Sequence, residues 1–137
     1  MGRILSIDYG KKRTGIAVTD PLQLIASILT TVETDSLIYF LKQYIKEEQV
    51  DMVLVGYPLA LDGSATDATP LVDKFIRNFK KVFPDLPLET ADESFTSQQA
   101  VQAMLDMGMK QKDRQKKENT DALSAVILLQ EYLESRS

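Results

Sequence analysis

Asp8 is the residue whose surroundings most strongly indicate chemistry. It ends the apolar run 3–7 and opens a turn that contains a glycine and three consecutive cations, Lys11, Lys12 and Arg13. A charged carboxylate at the end of a buried strand contributes little to a core, because removing a charge from water is costly. Beside cations that can bind phosphate, the same carboxylate is well placed to hold a metal ion.

Three further acids are candidates for the same site. Asp92 ends a predicted strand and Glu93 follows it directly; since side chains alternate along a strand, only one of the two can point the same way as a given neighbour. Asp121 begins the predicted last helix, in line with an apolar stripe that includes Ala125 and Leu128. An acid in line with such a stripe is directed toward the sheet rather than toward solvent.

Carboxylates gathered in one place raise one another's pKa, so the cluster would be costly without a partner. Mg²⁺ or Mn²⁺ removes the conflict, since both ions prefer oxygen ligands. Two such ions about 4 Å apart can activate a water and stabilise the leaving oxygen of a phosphodiester. The chain has no histidine and no cysteine, which excludes Ser-His-Asp and Cys-His catalysis and Cys/His zinc sites.

Composition predicts one domain over residues 1–137, since 137 residues that are 44% hydrophobic can bury a core. No long apolar segment or secretory signal is present, so we expect a cytoplasmic protein that does not contact a membrane. The net charge of −4 argues against a protein that coats nucleic acid without specificity. Two basic islands, 1–18 and 110–118, could still guide a polyanion to one face; the second includes Lys110 and Lys112.

The hydrophobic patterns predict the element order βββαβαβαα. The strands are 3–8, 15–19, about 24–32, 52–55 and 88–92; Thr34 or Asp35 is predicted to cap the first helix, and the other helices begin near Pro70, near Thr96 and near residue 120. Gly10 or Gly15 could supply a positive φ for the first hairpin turn. Right-handed crossovers place the fourth strand beside the first and the fifth beside the fourth. We therefore expect an α/β fold with a mixed five-stranded sheet and helices on both faces.

Each candidate also has a purely structural interpretation. Asp8 could begin a turn, and Asp121 could be an acid favoured by the dipole of a helix first turn. Asp92 and Glu93 could cap the following helix, and the lysine-rich run 110–117 could be a solvated connector. The joint placement of the acids at one sheet edge, where α/β folds bind ligands, favours the functional interpretation.

These residues, in this order, resemble the YqgF (RuvX-like) family over nearly the whole chain. Five segments carry the resemblance: Ile7-Asp8-Tyr9-Gly10 with Lys12-Arg13-Thr14-Gly15, Val55-Gly56-Tyr57-Pro58-Leu59, Asp62-Gly63-Ser64, Asp92-Glu93-Ser94-Phe95-Thr96, and Asp121 with Ala122, Ala125 and Leu129. The sequence departs from the family pattern at Ser94, where arginine is usual, at Tyr57, where leucine is usual, and at Ala60, where asparagine is usual.

The resemblance implies a ribonuclease H-like fold and a metal-dependent nuclease that matures the 5′ end of pre-16S ribosomal RNA. Asp8 matches the family's first-strand acid, Asp92 or Glu93 the acid at the end of the last strand, and Asp121 the acid of the final helix. The positions expected to contact substrate are Lys11, Lys12, Arg13, Ser94, Thr96, Lys110 and Lys112. Serine at position 94 replaces a bidentate phosphate ligand poorly.

Three other functions remain open from the sequence. The family is also described as a Holliday junction resolvase, which would act on branched DNA as a two-fold dimer. A nucleotide-phosphate binder of the actin type would need a second such domain, and a non-catalytic module could bind ribosome-assembly intermediates through the basic islands. We expect a monomer or weak homodimer whose partner is nucleic acid, pre-rRNA in preference to branched DNA.

Overall fold

The computed structural model describes residues 2–58, 64–92 and 117–136, with side chains from residue 122 onward in the last segment. A single 3-10 turn, Thr34–Ser36, precedes the first helix. In chain order the elements are β1 (Arg3–Asp8), β2 (Arg13–Thr19), β3 (Ala26–Glu33), α1 (Leu37–Glu47), β4 (Val50–Tyr57), α2 (Thr69–Val82), β5 (Leu88–Asp92) and α3 (Lys117–Arg136).

The five strands form one sheet in the order β3-β2-β1-β4-β5. β2 pairs antiparallel with both β1 and β3, whereas β4 pairs parallel with both β1 and β5. This mixed sheet is the predicted one, with β4 beside β1 and β5 beside β4. The carboxyl ends of β1, β4 and β5 therefore lie at one edge.

Each face of the sheet is covered by helices and carries its own core. On the first face, the α1/α2 face, β1, β2 and β4 pack against Leu37 and Leu41 of α1 and against Val72, Phe75 and Phe79 of α2. On the second, the α3 face, the buried residues are Ile4, Ala17, Leu54, Ala125, Val126, Leu128 and Leu129. Alternation along each strand assigns every strand residue to one of these faces.

The amphipathic pattern of α2 predicts its place correctly. Pro70 stands in the first turn, where its missing N–H costs nothing. Val72, Phe75 and Phe79 recur at helical spacing and are buried. The predicted α3 stripe is also confirmed where side chains are described, since Ala125 and Leu128 are buried and Tyr132 packs against the same core.

β1 has the predicted bounds, whereas β2, β3, β4 and α1 begin at positions that differ from the prediction. β2 begins at Arg13, and β3 begins at Ala26 because the Asp20 carboxylate accepts hydrogen bonds from the backbone N–H groups of Leu24 and Ile25, both at 2.8 Å. These two bonds lower the pKa of Asp20. The predicted side-chain cap of α1 is wrong, because no side chain caps the 3-10 turn or the helix.

No described helix is both long and apolar enough to cross a membrane.

Removal of two buried hydroxyl groups on the sheet should have different effects on the free energy of unfolding. Ser6 and Thr19 are both at most 1% exposed. Ser6 Oγ has no hydrogen-bond partner among the described residues, whereas Thr19 Oγ1 accepts from Ile4 N at 2.9 Å and donates to Asp20 O at 2.8 Å. We expect Ser6→Ala to leave the free energy of unfolding unchanged or raise it, and Thr19→Val to lower it by about 1–3 kcal/mol. Urea unfolding of the two variants measures both effects, and a stability loss in Ser6→Ala would contradict the assignment.

Candidate functional site

The candidate site lies where the parallel strands end. Asp8 is the last residue of β1 and Asp92 the last residue of β5. Because β1, β4 and β5 are parallel, both acids lie at the same edge of the sheet. Asp8 is half-buried and Asp92 is exposed.

Asp8 belongs to the α3 face and is surrounded there by very small residues. It pairs with Gly15 of β2. The β1–β4 register pairs Ile7 with Val55, and continuing it by one residue places Gly56 beside Asp8. Gly56 in turn pairs with Ala91 of β5. Paired residues point to the same face of the sheet. In this row the Asp8 carboxylate therefore has two glycines, which carry no side chain, and the methyl group of one alanine as its neighbours. The residues beside Asp8 in this row therefore add little side-chain bulk next to its carboxylate.

Asp92 points to the other face of the sheet. It pairs with Tyr57, whose ring packs against the α1/α2 core. Asp8 and Asp92 therefore share an edge but not a face. Strand alternation thus separates the two acids that the sequence places together.

The last helix runs toward Asp8. Near its C-terminal end, Tyr132 donates to Met52 Sδ at 3.5 Å and Arg136 donates to Gln23 Oε1 at 3.0 Å, close to the start of β4. From Tyr132 back to Asp121 the helix rises about 16 Å, while β4 advances about 13 Å from Met52 to Gly56. The helix therefore extends from these contacts back toward the sheet edge that Asp8 occupies.

A ring of hydrogen bonds fixes the turn that follows Asp8. Thr34 Oγ1 donates to Gly10 O at 2.6 Å and lies 2.9 Å from Thr14 Oγ1, which accepts from Gly10 N at 3.5 Å. Each hydroxyl has one proton, so Thr14 is the donor to Thr34. Thr34 N also donates to Lys12 O at 2.9 Å. The Thr34 hydroxyl is thus occupied in holding this turn, which explains why it does not cap α1.

Glycine is required at Gly10 by a close backbone approach. A Cβ there would overlap the carbonyl group of Arg13, which bends back over the turn. The φ of Gly10 is not in the left-handed region, so the predicted role of a positive φ is wrong at this position. The tight turn brings the cations of 11–13 close to the end of β1.

The cations of this turn line an open groove of about 960 Å³. Lys11 and Lys12 are exposed, and Arg13 is half-buried. Glu33 and Asp35 line the same groove, so its charge is mixed. Their exposure on the turn next to Asp8 makes the two lysines candidates for contact with a phosphate.

Tyr9 lies next to Asp8 and stacks on Phe75, with 5.1 Å between ring centroids. Burial, and then the negative charge of Asp35, raise the pKa of the Tyr9 phenol above its ordinary value of 10.0. The phenol therefore stays protonated near neutral pH and cannot serve as a general base. Tyr57, where the family pattern has leucine, donates to Asp73 Oδ1 at 2.7 Å, and that bond raises the pKa of Tyr57.

Several predicted site residues lie outside the described part of the chain. These are Glu93, Ser94, Thr96, Lys110 and Lys112, together with the side chain of Asp121. Within residues 2–58, 64–92 and 122–136 no three acidic side chains form a cluster that could hold a metal ion.

Sequence reasoning identified Asp8 but missed its neighbours on the sheet. Gly15 was considered for the first hairpin turn, and Gly56 lay outside the predicted fourth strand, yet both lie inside strands. Counting alternation from Ile7 across the predicted parallel pairing would have found Gly56 and Ala91.

Comparison with solved structures defines the class of fold. RuvC from Thermus thermophilus in complex with a Holliday junction substrate matches with a TM-score of 0.56 at 15% identity, covering 99% of this chain and 96% of RuvC. A second Thermus thermophilus RuvC structure matches with a TM-score of 0.51 at 13% identity. The protein therefore has the ribonuclease H-like α/β fold that its sheet order indicates.

The family is shown by sequence. The family model described as RuvX: Holliday junction resolvase matches residues 2–135. A Flavobacterium psychrophilum protein is 50% identical over 133 residues, covering 97% of each chain, and a Phocaeicola vulgatus protein is 50% identical over 136 residues, covering 99% of this chain and 98% of the relative. Both carry the name "Putative pre-16S rRNA nuclease". This chain belongs to the RuvX family.

The hydrogen-bond ring predicts the effect of removing one hydroxyl. Thr34→Val leaves the Gly10 carbonyl and the Thr14 hydroxyl without partners, so the free energy of unfolding should fall by about 1–3 kcal/mol. Thr30→Val is the matched control on β3, the strand that precedes Thr34, since Thr30 Oγ1 reaches a neighbouring carbonyl only at 3.4 Å. Urea unfolding compares the two, and equal stability losses would show that the ring does not hold the turn.

Proposed function

We propose that this protein is a divalent-metal-dependent phosphodiesterase of the cytoplasm that processes the 5′ end of pre-16S ribosomal RNA. The observation that carries the proposal is Asp8 at the edge of the parallel strands, flanked on its own face by Gly15, Gly56 and Ala91. A charge in such a position has room for a hydrated cation and a phosphate. The substrate is inferred from relatives 46–50% identical that bear the nuclease name.

Three carboxylates would hold the metal: Asp8, Glu93 and Asp121. Asp8 is half-buried and hard oxygen ligands suit Mg²⁺ or Mn²⁺, so the residues fit such an ion. A pair of these ions supplies an activated water and stabilises the leaving oxygen of the phosphodiester. Asp121 is included because it matches the acid of the final helix in the family pattern, and the direction of α3 from the start of β4 toward the edge of Asp8 supports this choice.

The strand register favours Glu93 over Asp92 as the second acid. Asp92 pairs with Tyr57 and points to the α1/α2 face, whereas Asp8 points to the α3 face. Because successive side chains on a strand point to opposite faces, the acid that follows Asp92 is the better candidate to share a face with Asp8. We propose that Asp92 has no role as a metal ligand.

The cations of the first turn would position the substrate. Lys11 and Lys12 are exposed beside the acidic site, on a turn that hydroxyls and Gly10 hold rigid. We propose that they contact phosphates next to the cleaved bond, as do Arg13, Ser94, Thr96, Lys110 and Lys112. A rigid turn reduces the entropy lost when substrate binds.

Substitution of single acids tests the proposal. Asp8→Asn, Glu93→Gln and Asp121→Asn each remove a charge that would hold the metal, so cleavage of a pre-16S 5′ fragment in Mg²⁺ or Mn²⁺ should fall about 100-fold or more. Chelation with EDTA should abolish cleavage by the wild-type protein. Product is measured on a denaturing gel.

Asp92→Asn is the matched control, because it makes the same chemical change one residue away on the other face. Its cleavage rate should stay within about threefold of the wild-type rate, a difference below 1 kcal/mol in the barrier. If Asp92→Asn is inactive while Glu93→Gln is active, the assignment by strand register is wrong. If all four variants cut as well as the wild type, the nuclease proposal fails.

Branched DNA is the second candidate substrate. It is favoured by the Holliday junction in the matched RuvC complex and by the description of the family model. Symmetric cleavage of two strands requires two copies of the site related by a two-fold axis. We expect a monomer or weak homodimer in light scattering, and a preference for the RNA fragment over a synthetic four-way junction in the cleavage assay.

A further inference from the structure

A second basic surface lies on α2, away from the acidic site. Lys74, Arg77 and Lys81 are spaced at i, i+3 and i+7, which places them on one face of the helix. All three are exposed, and together with Asn78 and Tyr9 they line an open groove between α2 and the start of α1. We call this surface the α2 groove.

The charge of the α2 groove is available to a ligand. None of its three cations forms an ion pair within the described part of the chain. Asp35 is the acid that lines the groove; Asp73 on the same helix accepts a hydrogen bond from Tyr57 and does not line it. Three cations against one carboxylate leave a positive surface on a protein whose net charge is −4. Such a surface is complementary to a polyanion.

The α2 groove begins at the sheet edge that holds the candidate active site, on the opposite face from Asp8. Tyr9, which follows Asp8, forms one wall of the groove through its stack on Phe75. Asp35 lines both this groove and the groove beside Lys11 and Lys12. A strand leaving the Asp8 edge could therefore pass over Tyr9 and run along α2.

The length of the cationic stripe suits several phosphates. From Lys74 to Lys81 the helix rises about 10 Å. Phosphates along one strand of a duplex advance about 3.4 Å each along the axis, so the stripe spans roughly three of them. Lysine and arginine side chains that contact the backbone position a nucleic acid without reading its sequence.

We propose that the α2 groove is a second phosphate-backbone site, which binds the segment of RNA that flanks the cleaved bond. This proposal rests on the proposed nuclease function and extends it. The enzyme thus needs a substrate that continues past the active site. A short oligonucleotide that covers only the cleaved bond gains no binding affinity from Lys74, Arg77 and Lys81.

The test measures RNA binding by a triple variant, Lys74→Gln, Arg77→Gln and Lys81→Gln. The probe is a labelled RNA that covers the pre-16S 5′ junction, in EDTA so that no cleavage occurs, with Kd followed by anisotropy as the salt concentration rises. Loss of three phosphate contacts should reduce the slope of log K against log salt by about 2 for single-stranded RNA. The affinity should fall about tenfold or more at about 50 mM salt.

The matched control removes three exposed or half-exposed lysines that do not line the α2 groove, by Lys42→Gln, Lys46→Gln and Lys80→Gln. It changes the net charge equally, so it should keep a slope and affinity close to those of the wild type. Circular dichroism and Tm verify that both triple variants are folded. If the two triple variants bind RNA equally well, the second RNA site is absent. The same result is expected if the groove binds an acidic protein instead of RNA.

Cleavage of the same RNA in Mn²⁺ separates this proposal from the nuclease function. If the wild-type protein cuts and the two triple variants bind alike, the second site alone is wrong. If the wild-type protein does not cut but the α2 triple variant still loses RNA affinity relative to the control, the second site stands and the nuclease function fails.

Discussion

The cost of placing carboxylates together at one edge of a sheet is the constraint on which the rest of this structure depends. Parallel pairing of β1, β4 and β5 brings their carboxyl ends to that edge, and α3 approaches it from the other direction along one face. Asp8 is flanked there by Gly15, Gly56 and Ala91. In the site that we propose, a bound cation would lower the electrostatic cost of the gathered acids, which links the fold to metal chemistry.

The turn after Asp8 carries three cations next to the candidate acid. Hydroxyl and backbone hydrogen bonds help to fix this turn. Thr34, which follows β3, supplies several of them, so the antiparallel hairpins also position the residues that we propose bind phosphate. The exposed lysines remain free to move toward a ligand while the backbone beneath them is rigid.

Much of the architecture follows from sequence periodicity alone. The bounds of β5, the proline in the first turn of α2, the stripe of α3 and the strand order were all predictable, because each depends on local pattern or on crossover handedness. The local chemistry was less predictable. Thr34 appeared to be a helix cap but bonds to Gly10, a partner distant in sequence. The faces of Asp8 and Asp92 depend on register, which only the paired strands define.

The central claim is that Asp8 holds a divalent ion on the α3 face. The most direct measurement is a crystal structure of the protein soaked in Mn²⁺, with anomalous scattering used to locate the ion. We expect an anomalous peak within coordination distance of the Asp8 carboxylate, above Gly15 and Gly56, with oxygen ligands from Glu93 and Asp121. An Asp8 without a metal at saturating Mn²⁺, or an ion bound to Asp92 on the α1/α2 face, would contradict that claim.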